Sequence, residues 1–118
     1  MELKKGMLCK HFKGKDLYDK NIYQILAINV SGNTINWDSV TYTGDGEFLL
    51  AEDLVIYQNI IDEKIFAREY SDLTLELSKE RQEEYHQQYR IEPLTETEIN
   101  IVSDPTFLSQ RKSIKGRK

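Results

Sequence analysis

The stretch LVIYQNIIDEKIFAREYSDLTLEL, residues 54–77, decides the expected fold. Two short apolar runs, residues 54–58 and 64–68, stand on either side of a polar turn, which is the pattern of an antiparallel β-hairpin. A corner is expected at residues 71–73, because Ser and Asp side chains compete locally for backbone hydrogen bonds. We therefore expect a β-rich fold built outward from this hairpin.

Further strands are predicted on both sides of the hairpin, at residues 4–12, 22–30 and 74–77, and residues 34–43 are expected to form a strand or a decorated hairpin. The clearest is residues 22–30, where Ile22, Leu26, Ile28 and Val30 share one face and Ile25 lies on the other. Apolar residues on both faces indicate a central, partly buried strand. Five or six short strands predict a mainly β fold that closes into a small barrel.

One short helix and a basic tail are expected after the strands. Ser78 is a suitable N-cap for a C-terminal α-helix over about residues 79–90. The predicted single domain covers residues 1–103, and residues 104–118 are predicted to form a basic, flexible tail. Five Lys and Arg residues and no acidic residue occur between positions 110 and 118.

Charge and composition limit the classes of protein. The net charge is −4, and because the tail contributes +5, residues 1–109 carry −9. An acidic body repels phosphate backbones, so nucleic acid is expected to bind only through the basic tail. No apolar run reaches the roughly 20 residues of a membrane span. With no secretory signal and the single thiol of Cys9, we expect a cytoplasmic protein.

Catalytic and metal-binding patterns are weak. Gly44 and Gly46 lack the third glycine and the Lys-Ser/Thr of a phosphate-binding loop. Cys9 and His11 lie two apart on one strand, roughly 6.6 Å, and could form a nucleophile pair. A small buried Cys beside a partly exposed His is the simpler interpretation. We therefore predict no catalytic residue, no metal site, no cofactor and no enzymatic activity.

Arg68 is the strongest candidate for ligand binding. It ends an apolar strand, and Tyr57 and Tyr70 are expected to flank it, with His11 and Phe12 nearby. A guanidinium group among aromatic rings can hold a carboxylate, a phosphate or a base. The alternative is a structural Arg that pairs with its own chain, through Glu69 or Asp72.

Five segments together resemble one small family of bacterial and phage proteins, domain-of-unknown-function family 1653. The segments are GMLCKHFK at 6–13, IYQIL at 22–26, LVIYQ at 54–58, FAREYSDL at 66–73 and QYRIE at 88–92. The resemblance implies a small SH3-like β-barrel and no established activity.

The chain departs from the family pattern at two places. Glu69 stands where the family has Pro after its Arg. Residues 33–53, which carry Trp37, replace a short His-Ser/Thr-Glu-Thr turn. If that turn and the Arg form the family's site, the ligand of this chain differs or is lost.

Three functional hypotheses follow. The first is a non-enzymatic binding module for a small anionic or nucleotide-like ligand, or for a peptide, at the Arg68 surface. The second is a phage-type interaction or inhibitor module. It would use its acidic surface to mimic nucleic acid, or hold a host protein through segment 33–53, with Trp37, Tyr42 and Asp45. The third is an enzyme that uses Cys9 and His11.

Overall fold

The computed structural model describes residues 1–115 of the chain. This part contains six strands and four short α-helices, and the helices all follow β5. The strands are β1 (Leu8–His11), β2 (Ile22–Val30), β3 (Thr41–Tyr42), β4 (Leu54–Asn59), β5 (Ile65–Glu69) and β6 (Ile91–Pro93). The helices are α1 (Tyr70–Leu73), α2 (Lys79–Tyr85), α3 (Glu96–Ser103) and α4 (Phe107–Lys115), and a single 3-10 turn covers Gly32–Thr34.

The strands form one mixed sheet in the order β3-β5-β4-β2-β1-β6. All neighbouring pairs are antiparallel except β3 and β5, which run parallel. Among residues 1–115 no pairing joins the two edge strands, β3 and β6. The fold is thus a six-stranded mixed sheet with a few short helices, and the predicted barrel is not closed.

The β4–β5 hairpin lies where the sequence predicts it, in antiparallel register with Tyr57 opposite Phe66. Its turn is closed by side chains, since Asn59 Oδ1 accepts from the Ile61 N–H at 2.8 Å. Asp62 Oδ1 likewise accepts from the Lys64 N–H at 3.0 Å. These local bonds satisfy turn amides and explain why the polar stretch forms a tight connection.

Strand β2 matches its predicted bounds but not its predicted face. Its register against β4 shifts between Ile25 and Ala27 and again between Ala27 and Val30. Each bulge moves the following side chains to the other side of the sheet. Ile22 is 0% exposed while Ile28 is 39% exposed, so the predicted grouping of Ile28 with Ile22 on one face is wrong.

The core forms on two parts of the sheet. The larger cluster joins Leu3, Cys9, Ile25, Val55, Tyr57, Leu73 and Ile91. The smaller cluster joins Ile22, Leu94 and Phe107, near the C-terminal helices. None of the helices in the described part of the chain is long and apolar enough to cross a membrane.

Helix α2 begins as predicted and ends early. The Ser78 side chain accepts from the Arg81 N–H at 3.3 Å, which confirms the N-cap. His86 has a φ of 54°, a left-handed conformation that stops the helix at Tyr85, short of the predicted end near residue 90. Residues 74–77 form an isolated bridge, Glu76 to Tyr89, instead of a strand.

The predicted domain boundary at residue 103 is wrong. Phe107, at the start of α4, is 2% exposed, packs against Ile22 and Leu94, and stacks on Tyr18 with ring centroids 5.4 Å apart. Arg111 is 3% exposed. Residues 104–111 therefore belong to the folded body and not to a flexible tail. The last three residues, with Arg117 and Lys118, lie outside the described residues.

Candidate anion-binding site

A cavity of about 170 Å³ opens beside the end of β1. Its walls are basic and aromatic side chains from four parts of the fold. The lining residues are His11, Phe12, Lys13, Arg68, Arg81 and Arg90. Ligand cavities for whole small molecules measure roughly 300–1,000 Å³, so this one fits a compact chemical group.

Strand pairing brings two sides of the cavity together. β1 pairs with β6, with His11 opposite Ile91, and the Phe12 N–H donates to the Arg90 carbonyl at 3.0 Å. Arg90 immediately precedes β6, and its own N–H donates to the Leu75 carbonyl at 2.8 Å. The backbone of Arg90 is thus held from both sides, which places its side chain next to the β1 turn.

Helix α2 contributes Arg81 to the lining of the cavity. The Ser78 cap places this residue in the first turn of the helix. Its guanidinium carbon lies 5.4 Å from the centroid of the Phe12 ring, and Tyr85 packs edge-on against the same ring at 5.3 Å. Cation–π contact at this distance is attractive, so Phe12 orients Arg81 at the cavity mouth.

A single carboxylate, that of Asp72, pairs with the arginines in the described part of the chain. Arg68 donates through Nε to Asp72 Oδ2, and Nη1 of Arg90 lies 3.7 Å from Asp72 Oδ1. Arg68 uses its Nε for the bond to Asp72, four residues later. Its two Nη atoms form no hydrogen bond with any described residue. The buried Nε of Arg90 also has no hydrogen-bond partner there.

The arginines of this chain are concentrated at the cavity. Residues 1–110 contain three arginines, Arg68, Arg81 and Arg90, and all three line it. Lysine is the common base elsewhere in the chain. Arginine presents a planar fork of donors that matches carboxylate and phosphate oxygens, whereas lysine presents a point charge.

His11 is neutral in this cationic surrounding. Burial, followed by the charges of Lys13, Arg90, Lys20 and Arg68, lowers the pKa of His11 to about 4. Its Nδ1 accepts from the Lys13 N–H at 3.3 Å, so in the neutral ring the proton resides on Nε2. His11 thus lines the cavity without a charge at neutral pH, and its Nε2 carries a hydrogen-bond donor.

The C-terminal helix supports the turn that carries Lys13. Nη1 of Arg111 donates to the carbonyls of Tyr18 and Lys20 at 2.6 and 2.5 Å. The amine of Lys20, itself 5% exposed, donates to the carbonyls of Phe12 and Gly14 at 2.7 and 2.9 Å. Two buried cations in series therefore fix the backbone at the edge of the cavity.

The structure brings together three of the five residues predicted to bind a ligand: Arg68, His11 and Phe12. Tyr57 is 5% exposed, packs in the core, and its hydroxyl bonds to Thr43 Oγ1 at 2.9 Å. The Tyr70 hydroxyl accepts from the Leu3 N–H at 2.7 Å. The prediction that Tyr57 and Tyr70 flank the ligand site is therefore corrected, because both hydroxyl groups form hydrogen bonds within the fold.

Three lining residues, Lys13, Arg81 and Arg90, were missed by sequence reasoning. A usable signal existed, because arginine is rare before residue 111 and the resemblance motifs already contain Lys13 and Arg90. Arg81 sits among glutamates on a polar helix, where a solvated side chain is the ordinary expectation.

The residues predicted to hold a protein partner form a small cluster of their own. The Trp37 ring packs edge-on against Tyr42 and Phe48, with centroids 5.9 and 4.8 Å away. The Tyr42 hydroxyl donates to the Asp45 carbonyl at 2.7 Å and bonds to Glu69. Trp37 and Tyr42 are thus half-buried supports of the segment, and the Asp45 side chain is exposed.

Gly32 is required for this segment to close. A Cβ at Gly32 would lie 1.7 Å from the Phe48 carbonyl oxygen, and the Gly32 N–H donates to the Ala51 carbonyl at 2.8 Å. The close backbone approach leaves Phe48, Leu49 and Leu50 at the surface, with exposed fractions of 40%, 56% and 76%.

Cys9 is poorly placed for nucleophilic chemistry. It has no exposed surface, and burial raises its pKa to about 12. The thiol, and not the thiolate, is therefore the form present at neutral pH. Within residues 1–115, no group of three or more His, Cys, Asp or Glu side chains is placed to hold a metal ion.

A larger cavity of about 620 Å³ lies at the β4–β5 turn. Its charged side chains are Asp38, Asp62, Glu63 and Lys64. All four are exposed, so they form a solvated rim, whereas Arg68 and Arg90 beside β1 are half-buried.

No protein-family model, no curated protein and no solved structure matches this chain.

Proposed function

We propose that this chain is a non-enzymatic binding module that holds a small anionic ligand in the cavity formed by Arg68, Arg81 and Arg90. The observation that carries the proposal is the convergence of every arginine of residues 1–110 on one cavity. Like charges repel, so gathering them is unfavourable unless an anion compensates. The acidic remainder of the chain offers a single pairing carboxylate among the described residues, that of Asp72.

The charge balance of the cavity supports an anion. Lys13 and the three arginines are cations, His11 is neutral, and the Asp72 carboxylate offsets one charge. A net charge of about +3 remains around a volume of 170 Å³. The partial burial of Arg68 and Arg90 reduces screening, which makes each contact to an anion stronger than one in open water.

The test measures anion affinity in wild type and in charge variants. Inorganic phosphate and sulfate are titrated into the full chain by calorimetry at low ionic strength. Arg81→Gln is the main variant, because Arg81 is exposed and its loss leaves the core intact. A charge-assisted hydrogen bond contributes about 1.5–3 kcal/mol, so we expect affinity to fall at least tenfold. The anion affinity of Arg90→Gln should fall by a similar factor.

Lys64→Gln is the matched control. It removes one positive charge from an exposed side chain that lines the other cavity. Its anion affinity should stay within twofold of wild type. Equal losses in Lys64→Gln and Arg81→Gln would show that net charge alone attracts the anion. No detectable binding of either anion to folded wild type would refute the proposal.

A relationship to family 1653 belongs to the same proposal. The hairpin that ends in Arg68 and the short helix after Ser78 support it. We propose that the open sheet is a variant of the SH3-like barrel. A structure of a family 1653 member with the strand order β3-β5-β4-β2-β1-β6 would support this, and one with a different strand order would contradict it.

A protein partner is the second candidate. The exposed side chains of Phe48, Leu49 and Leu50 favour it, because contiguous apolar surface of this kind is common at interaction sites. A partner with a complementary apolar groove would cover the tip of segment 33–53. Mass spectrometry of copurifying proteins should find a partner with wild type and lose it with Leu49→Ser/Leu50→Ser. Retention by that variant would remove this candidate.

A further inference from the structure

The basic side chains that line the cavity carry hydrogen-bond donors and no acceptors. The arginines and Lys13 carry only N–H groups, and neutral His11 offers its Nε2 proton. Among the described residues, Asp72 is the carboxylate that pairs with Arg68 and Arg90, and it is already bonded to Arg68. A ligand group that only accepts hydrogen bonds therefore suits these side chains.

The directions of approach distinguish a tetrahedral anion from a planar one. Arg68 reaches the cavity from β5, Arg81 from α2 and Arg90 from the residue before β6. Three guanidinium groups on separate elements can each face a different oxygen of a tetrahedral group. A carboxylate has two oxygens in one plane and satisfies one or two such forks.

The volume limits how much of the ligand enters. The cavity of 170 Å³ corresponds to roughly five or six water molecules at about 30 Å³ each. That is below the range for whole drug-sized ligands. Phe12 is 4% exposed and is covered by Arg81 and Tyr85, so it offers no free face for a stacked base. The cavity therefore holds the anionic group of a ligand, and the rest of the ligand stays outside the cavity.

Resting on the proposed anion-binding function, we infer that the ligand is a small phosphate monoester, bound through its dianionic phosphate group. Two charges on the phosphate offset most of the excess positive charge, and its three terminal oxygens meet the three arginines. A nucleic-acid chain is disfavoured because residues 1–109 carry −9 and would repel its other phosphates.

The affinity should follow the protonation of the ligand. The second pKa of a phosphate monoester is about 6, so the dianionic fraction rises about tenfold between pH 5 and pH 7. His11 faces Lys13, Lys20, Arg68 and Arg90, and its pKa of about 4 keeps it neutral over this interval. The change of charge expected between pH 5 and pH 7 is therefore that of the phosphate and not that of His11.

The experiment titrates the full chain with four probes: methyl phosphate, dimethyl phosphate, acetate and sulfate. We expect methyl phosphate at pH 7 to bind at least tenfold tighter than dimethyl phosphate or acetate, and about tenfold weaker at pH 5. Sulfate, a dianion at both pH values, should bind equally at pH 5 and pH 7. Arg81→Gln should weaken methyl phosphate at least tenfold.

The outcomes separate the two levels of the proposal. Equal affinity for all four probes, lost in Arg81→Gln, would overturn the monoester and leave the anion-binding function standing. No binding of any probe to folded protein would overturn both. An O-phosphoserine peptide that binds more than tenfold tighter than free O-phosphoserine would replace the small-molecule ligand by a protein one.

Discussion

Phe107→Ala tests whether the C-terminal helix belongs to the folded body. Phe107 is 2% exposed, lies against Ile22 and Leu94, and stacks on Tyr18. Truncating a buried Phe costs about 3–5 kcal/mol through lost apolar burial and the cavity left behind. We expect the lower end, about 3 kcal/mol, because a helix near a chain end can partly relax.

Leu108→Ala is the matched control, one position along the same helix. Leu108 is 43% exposed, so its truncation should cost less than about 1 kcal/mol. Urea unfolding followed by circular dichroism gives the free energies, and thermal unfolding should show a drop of about 12 °C for Phe107→Ala. If the two variants lie within 0.5 kcal/mol of each other, the packing of residues 104–111 on the core would be refuted.

Three further predictions concern buried polar groups. With a pKa of about 12, about one Cys9 thiol in 10⁵ is ionised at pH 7. Iodoacetamide should therefore alkylate Cys9 in the native chain at least a hundredfold more slowly than in the chain unfolded by urea. Equal alkylation rates would contradict this. The pKa of His11 is lowered to about 4, so between pH 6.5 and pH 4 the unfolded chain binds more protons and stability falls as pH falls, by up to about 1.4 kcal/mol per pH unit. His11→Gln should flatten that slope, and an unchanged slope would count against the buried neutral ring. Lys20→Met should lower the free energy of unfolding by about 2–4 kcal/mol, because two carbonyls lose a charged donor. Lys15→Met, at an exposed position, should lower it little. Similar losses for the two variants in urea unfolding would rule out a buried Lys20 amine bonded to these carbonyls.

Local patterns predicted the elements whose cause is local. The β4–β5 hairpin and the bounds of β2 follow from runs of apolar residues between turn signals. The Ser78 cap follows from side-chain chemistry that acts within three residues. The helix end at His86 was missed because a left-handed residue other than Gly leaves little trace in composition.

The tail was mispredicted because its anchor is distant in sequence. Arg111 bonds to the carbonyls of Tyr18 and Lys20, more than ninety positions earlier. A basic terminal segment normally indicates a solvated end. Two residues of the segment, Phe107 and Arg111, find partners only once β2 and the preceding loop are in place.

The amino-acid sequence by itself determined a β-rich chain, its central hairpin and its net negative charge, and it indicated Arg68 as a candidate ligand-binding residue. Only the tertiary structure decided that Arg81 and Arg90 join Arg68 and that Tyr57 and Tyr70 do not. The physical reason is that periodicity and capping act over a few residues, whereas a cavity is made by side chains from separate elements whose register and bulges depend on the whole sheet.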